Sequence, residues 1–150
     1  MNGSRIEKTT HHDVHVLTLT GEFGAFETPR VAERLDAAVR AGARAVVVNL
    51  RNVEFVNLST IGSLVRTQRR LRERDGELVV SEPSRFCRRT VDLLGLEEVI
   101  RVFSADDEAV RYLRAVSAAG APNPPETSEG SEPAPFGGAA GADPRGAGPD

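Results

Sequence analysis

The sequence lacks most features that mark secreted or membrane proteins. It contains a single cysteine, Cys87, so no disulfide can form within the chain, as is usual in a reducing compartment. Its apolar runs are far shorter than the stretch of about 18 residues that spans a bilayer. The first residues, MNGSRIEKTTHHDV, lack the apolar core of a signal peptide. We therefore expect a soluble, cytoplasmic protein that does not contact a membrane.

Phosphate-binding loops and strong charge are also missing. The sequence contains neither G-x-x-x-x-G-K-[ST] nor G-x-G-x-x-G, which predicts no nucleotide cofactor held by such a loop. Its net charge of −3 is close to neutral for 150 residues. Nucleic-acid-binding domains are usually strongly basic. We expect no cofactor and no direct nucleic-acid partner.

The few residues with catalytic or metal-binding potential are poorly grouped. In an extended segment His11, Asp13 and His15 share one face, but no second ligand cluster exists, so we expect no metal site. Cys87 falls on the apolar face of a predicted helix with no histidine near it, which is typical of core packing. Ser59 is not part of a G-x-S-x-G elbow. We therefore predict that the protein is not an enzyme and has no catalytic residue.

The composition divides the chain into three parts. Residues 119–150 are mostly Pro, Gly, Ala, Ser and acidic residues, which cannot bury enough apolar surface to offset the entropy of ordering. We predict that this tail is disordered. Residues 14–118 form the predicted domain, and residues 1–13 are an N-terminal lead-in whose RIEKTT stretch is a candidate edge strand.

Strand and helix patterns alternate along residues 14–118. VHVLTLTG alternates apolar and polar residues, whereas ARAVVVNL is continuously apolar, as strands buried on both faces are. TPRVAERLDAAVRAG has helical spacing, with Thr28 as the expected N-cap and Pro29 in first position. The order β-β-α-β-α-β-α-β-α predicts an α/β fold: a mixed, mostly parallel sheet of four to five strands with about four helices.

The stretch FVNLSTIGSLV, residues 55–65, leads from a strand into a second helix predicted over 59–75. Ser59 at its start has two interpretations. Its hydroxyl is the expected N-cap, but a helix N-terminus also favours an anion, so phosphorylated Ser59 is compatible with the fold. A phosphate adds a charge of about −1.5 to −2 and would switch a docking surface. The other face of the helix carries five arginines, Arg66, Arg69, Arg70, Arg72 and Arg74. Such a charged face is typical of a surface that is solvated or that docks a protein.

Several stretches resemble STAS domains, and in particular the bacterial anti-sigma factor antagonists. They are LTLTGEF, VVVNLRNVEFVN followed by a hydroxyl-rich helix start, GELVVSEPS and LLGLEEVI, and the resemblance runs from about Val14 to Leu113. It implies a STAS-type fold and a regulatory, protein-binding function. In that family a Ser or Thr at the start of the second helix is phosphorylated by a kinase that is also the anti-sigma factor. The unphosphorylated antagonist binds this kinase and frees the sigma factor.

Carried onto this chain, the resemblance implies that Ser59 is the phosphoacceptor, with Thr60 as a fallback. We also expect the protein to be a monomer or weak dimer. The implied partner is an anti-sigma factor and serine kinase of the histidine-kinase-like ATPase type. The residues expected to contact it are Glu22, Glu27, Asn57, Leu58, Ser59, Thr60, Gly62, Ser63 and Arg66.

Two acidic residues of the family pattern are missing. Asn57 stands where the family usually has Asp, and Gly24 stands where the first loop would supply another. An amide is neutral and a poor Mg²⁺ ligand, so it would hold metal-bound ATP less well. Two alternatives therefore stay open: a STAS adaptor or scaffold that is not phosphorylated, and a module that binds a nucleotide or small anion at Ser59–Gly62.

Overall fold

The computed structural model describes residues 3–118, in which a leading hairpin is followed by alternating helices and strands. The predicted tail, residues 119–150, lies outside the described residues. The elements are β1 (Arg5–His11), β2 (Val14–Phe23), α1 (Thr28–Arg40), β3 (Ala45–Val56), α2 (Leu58–Arg72), β4 (Glu77–Ser81), α3 (Arg85–Leu94), β5 (Val102–Phe103) and α4 (Asp106–Ala118), with a 3₁₀ turn at Leu96–Glu98.

The five strands of this part of the chain form one mixed sheet in the order β1-β2-β3-β4-β5. β1 pairs with β2 in antiparallel register and lies at the edge of the sheet. The other neighbours are parallel, because a helix crosses over between each pair of strands. The predicted fold class, a mixed and mostly parallel sheet with four helices, is confirmed.

The sheet is covered on both faces, which explains the continuously apolar sequence of its central strand. Val46 and Val48 belong to the larger core cluster, which also contains side chains of α1, α2 and α3. Val47, which points to the other face, belongs to a smaller cluster with Leu113 of α4. Helices α1 to α3 therefore pack on one face of the sheet and α4 packs on the other.

A polar contact at Glu77 fixes α4 to the sheet. Glu77 is buried, and its two carboxylate oxygens accept hydrogen bonds from the Tyr112 hydroxyl (2.8 Å) and from Arg101 Nε (3.1 Å). Burial, and then the bond to Glu77, raise the pKa of Tyr112 to about 12. Glu77 begins β4, at the opposite end of the strands from the start of α2, so this contact leaves that region free.

The junctions around α1 and α2 differ from the sequence prediction. Thr28 is the first residue of α1 and not its cap, since Glu27 takes the cap position without a side-chain hydrogen bond. The predicted strand ARAVVVNL ended at Leu50, but β3 continues to Val56. Its pairing with β2 reaches as far as Phe23 with Val56, and at two register shifts β3 contains one residue more than β2. The chain therefore enters α2 directly from the carboxyl end of β3, with one residue between them.

Candidate functional site

The candidate site lies at the carboxyl ends of β2 and β3, where residues 24–27 meet the first turn of α2. Phe23 and Val56 are paired, and the Asn57 backbone N–H donates to the Phe23 carbonyl oxygen across 3.0 Å. Both chains leave the sheet at this point. Their next residues are therefore neighbours in space, although about thirty positions separate them along the chain.

Asn57 caps α2. Its backbone is extended, and its side-chain oxygen accepts a hydrogen bond of 3.2 Å from the backbone N–H of Thr60. Thr60 is the third residue of the helix, which is where a short side chain at the cap position reaches. The expectation that Ser59 is the cap is therefore wrong: Ser59 is the second residue of α2, its side chain is exposed, and Asn57 satisfies the turn instead.

Thr28 and Thr60 connect the starts of α1 and α2. Their hydroxyl oxygens are 2.9 Å apart, and the Thr28 hydroxyl is also 3.2 Å from the Gly24 carbonyl oxygen and 3.4 Å from the side-chain oxygen of Asn57. We call Gly24, Thr28, Asn57 and Thr60 the polar junction. Thr60 is 0% exposed, so its hydroxyl is enclosed, whereas Ser59 beside it faces solvent.

The two acidic residues predicted for the docking region lie in or beside the loop that follows β2. The half-buried Glu27 accepts a hydrogen bond of 3.0 Å from the Gly24 backbone N–H, which closes the loop on itself. Glu22, near the end of β2, is exposed. The loop that lacks the family's usual Asp therefore still contains a carboxylate, contributed by Glu27 three residues later.

Exposed apolar side chains surround the same end of the sheet. Phe26 is 92% exposed and Leu58 is 68% exposed, and Phe55 shows 41% of its surface while its ring packs 5.4 Å from that of Phe86. Phe26 and Phe55 were not among the residues expected to contact a partner. The available signal was a phenylalanine in a polar loop and another at the end of a strand that leads into the site. Grouped exposed apolar residues are typical of protein-binding surfaces.

The remaining predicted residues continue along α2 from Ser59. Ser63 is buried, and its hydroxyl donates to the Ser59 carbonyl oxygen across 3.3 Å. Arg66 is exposed, and its Nη2 donates to the Ser63 hydroxyl across 3.2 Å. Gly62 is half-buried between them. A continuous strip of α2 is therefore accessible to solvent and consists of Ser59, Gly62 and Arg66. Thr60 and Ser63 lie beneath it on the buried side of the helix.

The histidines and the cysteine lie elsewhere. Among residues 3–118, no three His, Cys, Asp or Glu side chains are grouped closely enough to hold a metal ion. His11 and His12 are exposed in the β1–β2 hairpin, and burial lowers the pKa of the nearby His15. Cys87 is buried in α3, where burial raises the pKa of its thiol. Within the described residues, no helix combines the length and the hydropathy needed to cross a membrane.

Comparison with known proteins identifies the class. The STAS domain family model matches residues 5–109, which is most of the described structure, and the chain belongs to this family. The anti-sigma-B factor antagonist of Staphylococcus epidermidis is 30% identical over 97 residues, which cover 65% of this chain and 90% of the relative. The anti-sigma F factor antagonist of Paenibacillus polymyxa is 25% identical over 114 residues, 75% of this chain and 97% of that protein.

A solved structure shows the same fold. An anti-sigma factor antagonist from Mycobacterium paratuberculosis superposes with a TM-score of 0.70 at 23% identity, over 75% of this chain and 95% of that one. At this identity the likeness concerns the fold alone. The sequence-based assignment to STAS domains that resemble anti-sigma factor antagonists is confirmed.

The polar junction predicts a measurable stability contribution from Asn57. Asn57→Ala removes the cap and leaves the buried Thr60 hydroxyl with one partner fewer, so we expect unfolding free energy to fall by about 1–2 kcal/mol. Asn57→Asp keeps the accepting oxygen and adds a charge that the helix N-terminus favours, so it should match the wild type or exceed it by up to about 1 kcal/mol. Urea denaturation measures both, and an Asn57→Ala protein as stable as the wild type would contradict the assignment.

Proposed function

We propose that this protein is an anti-sigma factor antagonist that is switched by phosphorylation of Ser59. Its partner is an anti-sigma factor that is also a serine kinase of the histidine-kinase-like ATPase type. The docking face, as we define it, consists of Phe26, Phe55, Leu58, Ser59 and Arg66, with Glu22 and Glu27 at its edge. Binding of the unmodified protein to this partner would release a sigma factor for transcription.

The position of Ser59 is the observation that carries the proposal. Asn57 caps the helix and Thr60 is enclosed, so Ser59 is the exposed hydroxyl of this turn. It follows Leu58, which is largely exposed, at an end of the sheet where Phe26 is exposed as well. Such a hydroxyl is accessible to a kinase that binds the surrounding apolar surface. The curated relatives are named for antagonism of anti-sigma factors, which fits this type of partner.

The proposed modification is a phosphoryl transfer from ATP. The Ser59 oxygen forms a bond to the γ-phosphorus, the bond from that phosphorus to the β–γ bridging oxygen breaks, ADP leaves, and the hydroxyl proton passes to a base or to water. The product has a charge of about −1.5 to −2 next to apolar side chains that must lose their water on docking. Burying that charge is costly, so phosphorylation should weaken the complex.

The neutral Asn57 and Gly24 favour one alternative, a STAS adaptor that binds its partner without being phosphorylated. The structure shows Asn57 in a capping role that an amide fulfils as well as a carboxylate. An adaptor would use the same docking face. The two functions therefore differ in whether Ser59 is modified and not in where the partner binds.

Substitutions at Ser59 test whether this residue controls binding. We expect Ser59→Ala to bind the anti-sigma factor kinase as tightly as the unmodified wild type. Ser59→Asp should bind at least about tenfold more weakly, a loss of about 1.4 kcal/mol, because it places a charge inside the interface. Isothermal titration calorimetry without ATP measures both affinities. Equal affinity for all three proteins would contradict a switch at this position.

A pair of exposed leucines tests the location of the docking face. Leu58→Ala should weaken binding by about 1–2 kcal/mol, because it removes apolar surface that docking would bury, at about 0.8 kcal/mol per methylene. Leu93→Ala is the matched control, since Leu93 is 84% exposed on α3 and lies outside the docking face. It should leave the affinity unchanged. Equal losses for both variants, or none for either, would place the interface elsewhere.

A further inference from the structure

The Arg66 side chain folds back along α2 towards Ser59. Its Nη2 donates to the Ser63 hydroxyl across 3.2 Å, and its Nη1 lies 3.5 Å from where a Cβ at position 62 would be. The guanidinium therefore covers Gly62, one turn before its own Cα, which is the direction that helical side chains favour. Because position 62 has no side chain, nothing attached there separates the guanidinium from the turn that carries Ser59.

Ser59 and Arg66 lie on the same strip of the helix. Seven residues correspond to nearly two turns, and the two Cα atoms are separated by a rise of about 10 Å along the axis. Because the Arg66 guanidinium lies over Gly62, it is already about one turn closer to Ser59 than the Arg66 Cα is. The remaining step is one helical turn, which a phosphoserine side chain and a small rotation of the arginine can close.

Arg66 has the capacity to bind another group. A guanidinium has five N–H donors, and the hydrogen bond to Ser63 uses one of them. The ion pairs formed within residues 3–118 involve other arginines, for example Arg70 with Asp36 at 2.6 Å, and none of them includes Arg66. An exposed arginine without a carboxylate partner is suited to a phosphate, which it binds through two parallel hydrogen bonds.

We propose that Arg66 binds the phosphate of phosphorylated Ser59 within the same helix. The modification then changes the docking face twice: it adds a phosphate at Ser59, and it withdraws the Arg66 cation from contact with the partner. This intramolecular pair also keeps the phosphorylated helix start intact. The inference rests on the proposed phosphorylation of Ser59 and specifies which residue of this chain responds to it.

The pair can be tested without a kinase. Phosphoserine is incorporated at position 59 of the full chain during translation, and ³¹P NMR follows the titration of its phosphate. Three proteins are compared: the otherwise wild-type chain, Arg66→Gln and Arg69→Gln. Arg69 is the matched control, because it is an exposed arginine of the same helix but a rise of about 15 Å from Ser59. The helix N-terminus acts on the phosphate equally in all three.

We expect Arg66→Gln to raise the second pKa of the phosphate by at least about half a unit, because a nearby cation favours the dianion. Arg69→Gln should leave it unchanged. An Arg66→Gln protein that is folded by circular dichroism and titrates like the parent would overturn the proposal, as would equal shifts for both variants. Since the phosphate is introduced without a kinase, these outcomes concern Arg66 alone. Failure of the kinase to modify wild-type Ser59 would instead count against the proposed function.

Discussion

The contact between the Thr28 and Thr60 hydroxyl oxygens, 2.9 Å apart, is the constraint on which the arrangement of the site depends. It joins the first turns of two helices that follow neighbouring strands, and the side-chain oxygen of Asn57 lies 3.4 Å from each hydroxyl. Thr60 is fully buried, whereas Thr28 and Asn57 are half-buried. The buried Thr60 hydroxyl therefore depends on Thr28 and Asn57 for its hydrogen bonds, and losing either partner would be costly. Leu58 and Ser59, which lie between Asn57 and Thr60 in the chain, are left exposed.

The junction separates structural hydroxyls from the proposed regulatory one. Thr28 and Thr60 use their oxygens to hold the helix starts together, and Asn57 satisfies the first turn of α2. The Ser59 hydroxyl takes no part in these hydrogen bonds, and Ser59 is exposed to solvent. In the proposed switch, a phosphate on Ser59 would leave the junction intact and change only the surface. In this proposal, regulation acts on the docking face and does not require the domain to unfold.

The fold could be predicted from hydrophobic periodicity. The apolar run of β3 at Val46–Val48 indicates a buried strand, and the helical spacing of the apolar residues of α2 indicates a helix. The end of β3 was not predictable, because two register shifts, each with an extra residue in β3, interrupt the pattern of the strand between Asn49 and Phe55. At the candidate site, the position of Ser59 in the first turn of α2 was predicted, but its role as a cap was assigned wrongly. Asn and Ser cap helices about equally well. The choice depends on where the helix begins: Asn57 has an extended backbone and accepts from the Thr60 N–H, whereas Ser59 is already the second helical residue.

The most direct measurement is the mass of the protein after incubation with the proposed anti-sigma factor kinase and Mg·ATP, for the wild type and for Ser59→Ala. We expect the wild type to gain one phosphate, located by peptide mapping at Ser59, and Ser59→Ala to gain none, although both proteins bind the kinase. A wild-type protein that binds but gains no phosphate, or that gains it at Thr60 or elsewhere, would contradict the account. The first of these results would favour the unphosphorylated adaptor.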